Sequence, residues 1–422
     1  NKMTKLEVDK CHLPENLERL KKAFFVEGNK EAKAIHFVEK VMPQLPPDCV
    51  QDAPSLPRYA RVEMINWDTP EHLREKRDKL EKQSSDLKAE ELAQRGMKLE
   101  SLLHFYKKLG KELMPHFDPT TSTTSDVVRQ AIIPSSWDHE GDGKSLAEVL
   151  KDVPAYALYM VSHTWTNRFA FTVAAIVAEA LSQNTYEDVV TRLQRDNLPG
   201  LIEELKQKGK LSASVWFCPF SINQHDSICG SFAPEPKPES DDWDDWDSKR
   251  KDSITQQIHD LCKCPTEKHF NDAGAKCELN KFDDMLAFMF RQCKRLCLVV
   301  AVDPQLKYFE RIWCMAELVQ AARLGMQIQL KMQKPKFTNE ERTIVEGIKI
   351  QKCKATRQED VEDVLKKLKE EGDESAIDSF NQELQRVLLG EASELGVIGR
   401  WQISLKREDE AAALTSKQQR TQ

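Results

Sequence analysis

The sequence predicts an α/β fold, namely a doubly wound, flavodoxin-like parallel sheet flanked by N-terminal and C-terminal α-helical regions. In the middle of the chain, short apolar runs alternate with stretches of helical periodicity, which is the pattern of parallel strands joined by crossover helices. The run at 296–302 contains no polar residue and is typical of a strand covered on both faces. The apolar runs lie at 156–161, 214–220 and 296–302; a fourth strand is predicted at 326–332, with a fifth candidate at 347–353.

The chain length of 422 residues predicts more than one domain. We expect a helical N-terminal region over 1–149, the α/β domain over 150–355, and a helical C-terminal region over 356–422 that ends in a polar tail. An insertion at about 227–280 separates the second and third strands. Its prolines and its run of aspartates up to Asp247 predict an exposed, poorly ordered loop.

The segment at 68–114 predicts a long helix in the N-terminal region. Leu73, Leu80 and Leu87 recur at seven-residue spacing among charged residues. This spacing is compatible with a coiled-coil seam and with an amphipathic helix that packs on its own protein. The residues do not decide between these alternatives.

Charge and hydropathy exclude two classes of function. The longest nearly apolar stretch, Phe169 to Leu181, is shorter than the roughly 20 residues that a membrane-spanning helix needs. Lys and Arg number 62 against 69 Asp and Glu, which gives a formal net charge of -7. A chain of this charge, without a basic stripe, repels phosphate backbones as a whole, so we expect neither a membrane span nor nucleic-acid binding.

The eleven cysteines are an odd number and are scattered, several of them inside apolar runs. This distribution favours reduced thiols in the cytoplasm or another reducing intracellular compartment. No signal-peptide pattern opens the sequence. Because the first residue is Asn1, removal of a leader stays open.

One group of cysteines in the insertion has spacing that a metal ion accepts. Thiolates and an imidazole at short separation form tetrahedral zinc sites, and such a site would stabilise an insertion too small for its own core. Reduced thiols or one local disulfide are the alternatives. The predicted ligands are Cys262, Cys264, His269 and Cys277, with Cys229 and His259 nearby in the sequence.

Three segments resemble the Toll/interleukin-1 receptor (TIR) domain. YALYMVSHTW at 156–165 resembles its first strand, and 215–225 resembles its second strand and the loop that follows. YFERIWCMAELV at 308–319 resembles its Trp-Cys-x-x-Glu-Leu helix. The similarity is to a divergent TIR-like type found in large protist proteins and covers about 150–355. The insertion and the helical flanks lie outside the core of that family.

The resemblance implies a site and a chemistry. Catalytic TIR domains break the bond between nicotinamide and ribose in NAD, and the match places their catalytic glutamate on Glu317. Ligands of doubly wound sheets bind outside the carboxyl ends of the strands, where polar residues follow the first two strands. We therefore expect a ligand pocket lined by Ser162, His163, Trp165, Asn223, Gln224, His225 and Trp313.

Each of these residues also has a purely structural interpretation. Glu317 would then be a surface residue paired with Arg311 or Arg323, and Trp313 would anchor its helix in the core. Ser162 would cap the next helix, and His163 would bond backbone groups. The polar residues at 223–225 would then be turn residues.

Two functions follow from the resemblance. The first, which the helical flanks favour, is a TIR-like interaction or scaffold component of a larger assembly, without turnover, that binds protein partners or associates with itself. The alternative is an NAD+ glycohydrolase (NAD+ nucleosidase) that uses Glu317, with NAD as its substrate. Fold alone does not choose between them.

Overall fold

The structure is a computed structural model that describes residues 71–150, 156–195, 197–240, 243–270, 274–355, 358–369 and 375–389. The predictions for 1–70 and for the polar tail lie outside these residues. The described residues divide into two compact units. The first contains 71–89 and the described part of 269–281, and the second contains the rest.

The second unit is built on a five-stranded sheet with the order β1-β3-β2-β4-β5. Its strands are β1 Met97–Lys98, β2 Tyr159–His163, β3 Ser214–Phe217, β4 Cys297–Ala301 and β5 Gln327–Lys331. The last four are parallel, and β1 pairs antiparallel with β3. All five residues of β4 are buried between β2 and β5, as its apolar sequence predicts. The α/β class is therefore confirmed.

Strand β2 is the point at which the strand order reverses. The chain passes from β2 to β3 on one side and then to β4 on the other side of β2. In α/β sheets, the crevice at such a reversal is where ligands bind, outside the carboxyl ends of the strands. The carboxyl ends of β2 and β4 meet at His163 and Ala301, which are paired in the sheet.

The helices are divided along the chain by strands β2 and β4. Those before β2 are α1 Glu71–Ala93, α2 Leu99–Lys108, α3 Thr124–Val127, α4 Ile133–Ser135 and α5 Leu146–Val149, with a π-helical turn Val128–Ile132 between α3 and α4. Those between β2 and β4 are α6 Phe169–Ala180, α7 Glu187–Gln194, α8 Leu198–Gln207, α9 Cys218–Ser221, α10 Trp243–Lys249 and α11 Phe282–Gln292. Those after β4 are α12 Ile312–Arg323, α13 Asn339–Glu346, α14 Gln358–Lys369 and α15 Ser375–Leu388. Short 3-10 turns lie at Gln224–Asp226, Gly274–Lys276, Lys307–Glu310 and Ile350–Lys352.

Helices α6 and α12 cover opposite faces of the sheet. Val161 belongs to the core cluster that includes nearly every residue of α6. The next residue of β2, Ser162, contacts Glu317 of α12. Because successive side chains of a strand point to opposite faces, the two helices lie on the two sides of β2. This arrangement is compatible with the doubly wound fold that the sequence predicts.

The predicted helix over 68–114 is wrong beyond Ala93, where α1 ends. The indole N–H of Trp216 donates to the carbonyl oxygen of Leu92 at 2.8 Å, and Arg95 donates to the carbonyl oxygen of Ser221 at 3.2 Å. These contacts fix the chain beyond α1 against β3 and the helix after it, so Met97–Lys98 becomes an edge strand. Residues 90–149 belong to the same compact unit as the sheet.

The structure also describes the fifth candidate strand, the acidic stretch of the insertion and the predicted C-terminal helical region. The fifth candidate strand at 347–353 is instead a 3-10 turn, Ile350–Lys352, whose first N–H donates to Asn381 Oδ1 at 2.9 Å. The acidic stretch of the insertion contains helix α10, and Trp246 donates its indole N–H to the Ala233 carbonyl oxygen at 2.8 Å. Helices α14 and α15 lie where the C-terminal helical region is predicted. Among the described residues, no helix combines the length and apolar character needed to cross a membrane.

Candidate functional site

The loop after β4 brings a tyrosine hydroxyl to the carboxyl edge of the sheet. The carboxylate of Asp303 accepts backbone N–H groups from Gln305, Lys307 and Tyr308, at 3.1, 3.0 and 2.7 Å. These bonds fold residues 303–308 back on themselves and hold Tyr308 in the interior. Its hydroxyl group lies 3.0 Å from the carbonyl oxygen of Cys314 and 2.6 Å from Ser162 Oγ.

Helix α12 presents Glu317 to the same place. Its apolar residues recur at helical spacing and form the buried side of the helix. These buried residues are Ile312, Cys314, Met315, Leu318, Val319, Ala321 and Ala322. Glu317, in the second turn, contacts Ser162 Oγ through its Oε2 atom, so that Ser162 links the carboxyl group to Tyr308.

The carboxyl group of Glu317 is desolvated although the residue keeps part of its surface exposed. Protein atoms crowd the carboxyl group, and this burial raises its pKa to about 8; the Ser162 hydrogen bond and the charge of Arg311 oppose the rise. The expected alternative, a surface glutamate paired with Arg311 or Arg323, does not describe this environment. Ser162 and Tyr308 are fully buried. Of the three linked residues Ser162, Tyr308 and Glu317, only Glu317 keeps part of its surface exposed to solvent.

His163 lies at the end of β2 but points away from Glu317, because neighbouring strand residues face opposite sides. Its ring packs edge-on against Phe217 with the ring centroids 4.8 Å apart. Burial, together with the positive charge of Arg311, lowers the pKa of His163 to about 3. The imidazole is therefore neutral at physiological pH, and the predicted pocket role of His163 is replaced by packing.

The two tryptophans have different positions. Trp165 is half-buried and hydrogen-bonds the thiol of Cys218, the first residue after β3. Burial and the nearby charge of Glu317 raise the pKa of that thiol, which brings Cys218 and Trp165 into the surroundings of Glu317. Trp313 is 38 % exposed, so its interpretation as a core anchor is wrong. It lies one helical turn before Glu317 on α12.

The polar residues after β3 stabilise their own loop instead of lining the crevice beside Glu317. Asn223 accepts the His225 backbone N–H at 3.0 Å and donates to the Gly143 carbonyl oxygen at 3.0 Å. The Gln224 side-chain amide donates to the carbonyl oxygens of residues 218, 219 and 222. The turn interpretation therefore describes Asn223 and Gln224 better than the predicted ligand-pocket role.

The predicted metal ligands are divided by the structure. Cys262 and Cys264 lie together, but their neighbours are His225 and Cys229, and the ligand atoms of these four residues all lie within 4.8 Å of one another. His269 and Cys277 belong to the first unit and are not members of this group. The structure thus leaves His269 and Cys277 outside this group and places His225 beside the three cysteines.

Sequence reasoning missed three members of the surroundings of Glu317: Asp303, Tyr308 and Cys218. Asp303 directly follows the predicted apolar run at 296–302, so the rule that ligands bind at the carboxyl ends of strands identifies it. Cys218 lies inside the predicted run at 214–220, where the sequence does not mark the end of β3. Tyr308 opens the quoted 308–319 motif but has no local signal for its contact with Ser162.

Comparisons of this chain with protein-family models, with curated proteins and with solved structures found no match.

Proposed function

We propose that the α/β unit is a TIR-like domain that cleaves the bond between nicotinamide and ribose in NAD, with Glu317 as its catalytic carboxylate. The observation that supports this proposal is the position of the Glu317 carboxyl group beside Ser162, at the carboxyl end of β2 where the strand order reverses. A carboxyl group held in a desolvated place costs folding free energy, and such groups cluster at functional sites. The resemblance of 308–319 to the TIR motif supports the same residue.

The proposed reaction needs only one ionised carboxylate. The bond between ribose C1′ and the nicotinamide nitrogen breaks, and its electron pair stays with the ring, which leaves as neutral nicotinamide. C1′ gains oxocarbenium character, water adds to it, and one proton is released to give ADP-ribose. A carboxylate beside the ribose stabilises the positive charge and binds the ribose hydroxyls. Because the leaving group takes no proton, only the ionised form of Glu317 contributes.

The raised pKa of Glu317 fits a cationic substrate. With a pKa of about 8, roughly one molecule in ten is ionised at neutral pH. A positive charge within a few ångströms favours the carboxylate and lowers its pKa. Binding of the nicotinamide cation therefore ionises Glu317 at the time when its charge is required.

The test measures the release of nicotinamide from NAD at high protein concentration, with chromatography to detect the nicotinamide. Glu317→Gln keeps the shape of the side chain and removes its charge, and we expect a loss of roughly a hundredfold or more in rate. Glu340→Gln is the matched control, because Glu340 is exposed in the first turn of α13. Wild-type protein without turnover, or turnover that survives Glu317→Gln, would contradict the proposal.

The second candidate is an assembly module without turnover, which exposed Trp313 favours. An indole on the outer side of α12 offers a large apolar area to a partner or to a second copy of the chain. Light scattering after size-exclusion chromatography tests this function. A concentration-dependent mass that Trp313→Ala abolishes, combined with no nicotinamide release, favours assembly over catalysis. An unchanged mass in the variant removes Trp313 from this role.

A further inference from the structure

We propose that His225, Cys229, Cys262 and Cys264 bind one zinc ion that fastens the insertion to the loop after β3. Cys229 Sγ and Cys264 Sγ are 3.5 Å apart, and Cys262 Sγ lies 3.7 Å from His225 Nδ1. A tetrahedron with Zn–S bonds of about 2.3 Å and Zn–N bonds of about 2.0 Å has edges of about 3.8 Å between sulfurs and about 3.5 Å between sulfur and nitrogen. The two separations therefore match a Cys3His zinc site.

The histidine is held in the form that a metal requires. Ser136 Oγ donates its hydrogen to the Ile133 carbonyl oxygen at 3.0 Å, so it accepts at its other contact, from His225 Nε2 at 3.1 Å. His225 therefore carries its hydrogen on Nε2, and the lone pair of Nδ1 points towards Cys262. Metal-binding histidines usually have their second ring nitrogen fixed by such a hydrogen bond. The imidazole is fully buried, and Trp137 packs on it with the ring centroids 4.2 Å apart.

The charge around the cluster also suits three thiolates. Lys268 Nζ lies 3.1 Å from Cys264 Sγ and 2.6 Å from the His225 carbonyl oxygen. An ammonium group beside a sulfur favours the thiolate, which is the form that binds a metal. One divalent cation with three thiolates has a net charge of about -1, and Lys268 offsets this charge.

A metal here would hold a segment of the insertion that has no regular secondary structure. Residues 259–270 contain no regular helix or strand. The two halves of the cluster meet where the Cys262 N–H donates to the Cys229 carbonyl oxygen at 2.9 Å. Binding of a structural zinc ion contributes directly to folding free energy, so four ligands from these two segments fix one to the other. A disulfide between Cys229 and Cys264 would use two members of the group and leave Cys262 and His225 without a common role.

The experiment measures metal in the full chain, purified under reducing conditions without chelator. We expect one zinc ion per chain by elemental analysis, released as the thiols are titrated with a mercurial reagent. Cys229→Ser and Cys262→Ser should each lose this stoichiometric zinc, whereas Cys262→His should retain it. The matched controls are Cys293→Ser, a half-buried thiol outside the group, and Cys277→Ser, from the set that sequence spacing predicts. Both controls should keep the metal.

A second measurement does not depend on how the variants fold. Co2+ exchanged into the wild-type chain should give visible bands of tetrahedral cobalt and a near-ultraviolet charge-transfer band from thiolate to metal. Wild-type protein that contains no stoichiometric zinc and gives no such bands would overturn the proposal. So would zinc that survives both serine substitutions, or a Cys229–Cys264 disulfide in anaerobically purified protein. None of these readouts depends on NAD turnover, so failure of this proposal is distinguishable from failure of the enzyme proposal.

Discussion

The hydroxyl group of Ser162 contacts the carboxyl group of Glu317, although the two residues are 155 positions apart in the chain. Contacts link the Glu317 carboxyl group, the Ser162 and Tyr308 hydroxyls and the Cys314 carbonyl oxygen in a row. Ser162 donates to the Glu317 carboxyl group, which favours the ionised form and so opposes the rise in pKa that burial causes.

Ser162→Ala tests this chain of hydrogen bonds. The substitution removes the partner of a desolvated carboxyl group, so we expect the free energy of unfolding to fall by about 1–3 kcal/mol. It should also raise the pKa of Glu317 further, because the Ser162 hydrogen bond opposes the rise that burial causes. Urea denaturation measures the first effect.

Ser248→Ala, in exposed helix α10, is the control for that measurement and should stay within about 0.5 kcal/mol of wild type. In the Glu317→Gln background, the effect of Ser162→Ala should differ from its effect in wild type, because the two side chains interact directly. Equal effects in both backgrounds would show that Ser162 stabilises the fold without acting on Glu317.

The stability of the protein should fall with rising pH because of Glu317. Its pKa is about 8 in the folded chain against 4.5 for an ordinary glutamate. Between these values, the folded state holds a proton that the unfolded state has released, so the free energy of unfolding decreases as pH rises. Each pKa unit corresponds to about 1.4 kcal/mol, which gives an upper limit of a few kcal/mol for this residue.

Glu317→Gln should remove this part of the pH dependence, since glutamine does not titrate. The variant should be more stable than wild type near pH 8 and similar to it near pH 4.5. Glu340→Gln should keep the wild-type slope. Denaturation curves across this pH range decide the question, and parallel curves for wild type and Glu317→Gln would contradict the raised pKa.

If the chain cleaves NAD, kcat/KM should increase with pH and level off above about pH 8. Only the ionised carboxylate stabilises the oxocarbenium charge, and kcat/KM reports the ionisation of the free enzyme. Initial rates of nicotinamide release across the pH range measure this profile. Ser162→Ala should move the inflection to higher pH. A rate that falls through the same range would instead indicate that the protonated carboxyl group acts, as a general acid.

Strands β2, β3 and β4 were predictable because each lies in an apolar run, and β4 is the clearest case, with all its residues buried. The end of α1 was not predictable from local sequence. The residue that accepts the Trp216 N–H is Leu92, 124 positions away. The helical propensity of the residues near Leu92 does not indicate this contact. Length and periodicity thus predicted the helix but not where tertiary structure ends it.

The residues of the candidate site also differ in how far the local sequence predicts them. Glu317 and Ser162 were predicted from the resemblance and from the rule for carboxyl ends of strands. The cysteine group was predicted only in part, because short spacing favoured His269 and Cys277 over distant residues. Cys229 lies 35 positions from Cys264 and meets it through folding of the insertion. His225 was assigned to a pocket because its role depends on Ser136, which comes from a different part of the chain.

Gly143→Ala tests how closely the chain approaches the histidine of the proposed zinc site. A Cβ atom at Gly143 would lie 2.4 Å from Cγ of His225, well inside van der Waals contact, so the ring would have to shift. Forcing a methyl group into a packed interior usually costs about 1–3 kcal/mol. The backbone of Gly143 does not have positive φ, so the obstacle is space alone.

We expect Gly143→Ala to lower the free energy of unfolding by that amount and to weaken zinc binding, because displacement of the ring moves Nδ1 away from Cys262. Gly347→Ala is the control: its nearest neighbours would lie at 3.4 Å or beyond, so it should change neither property by much. Denaturation in the presence and absence of a chelator separates the two effects. The variant could lose stability both with and without the chelator and still be purified with one zinc ion per chain. That result would mean that the ring tolerates the shift and that Gly143 serves packing only. Unchanged stability would contradict the close approach itself.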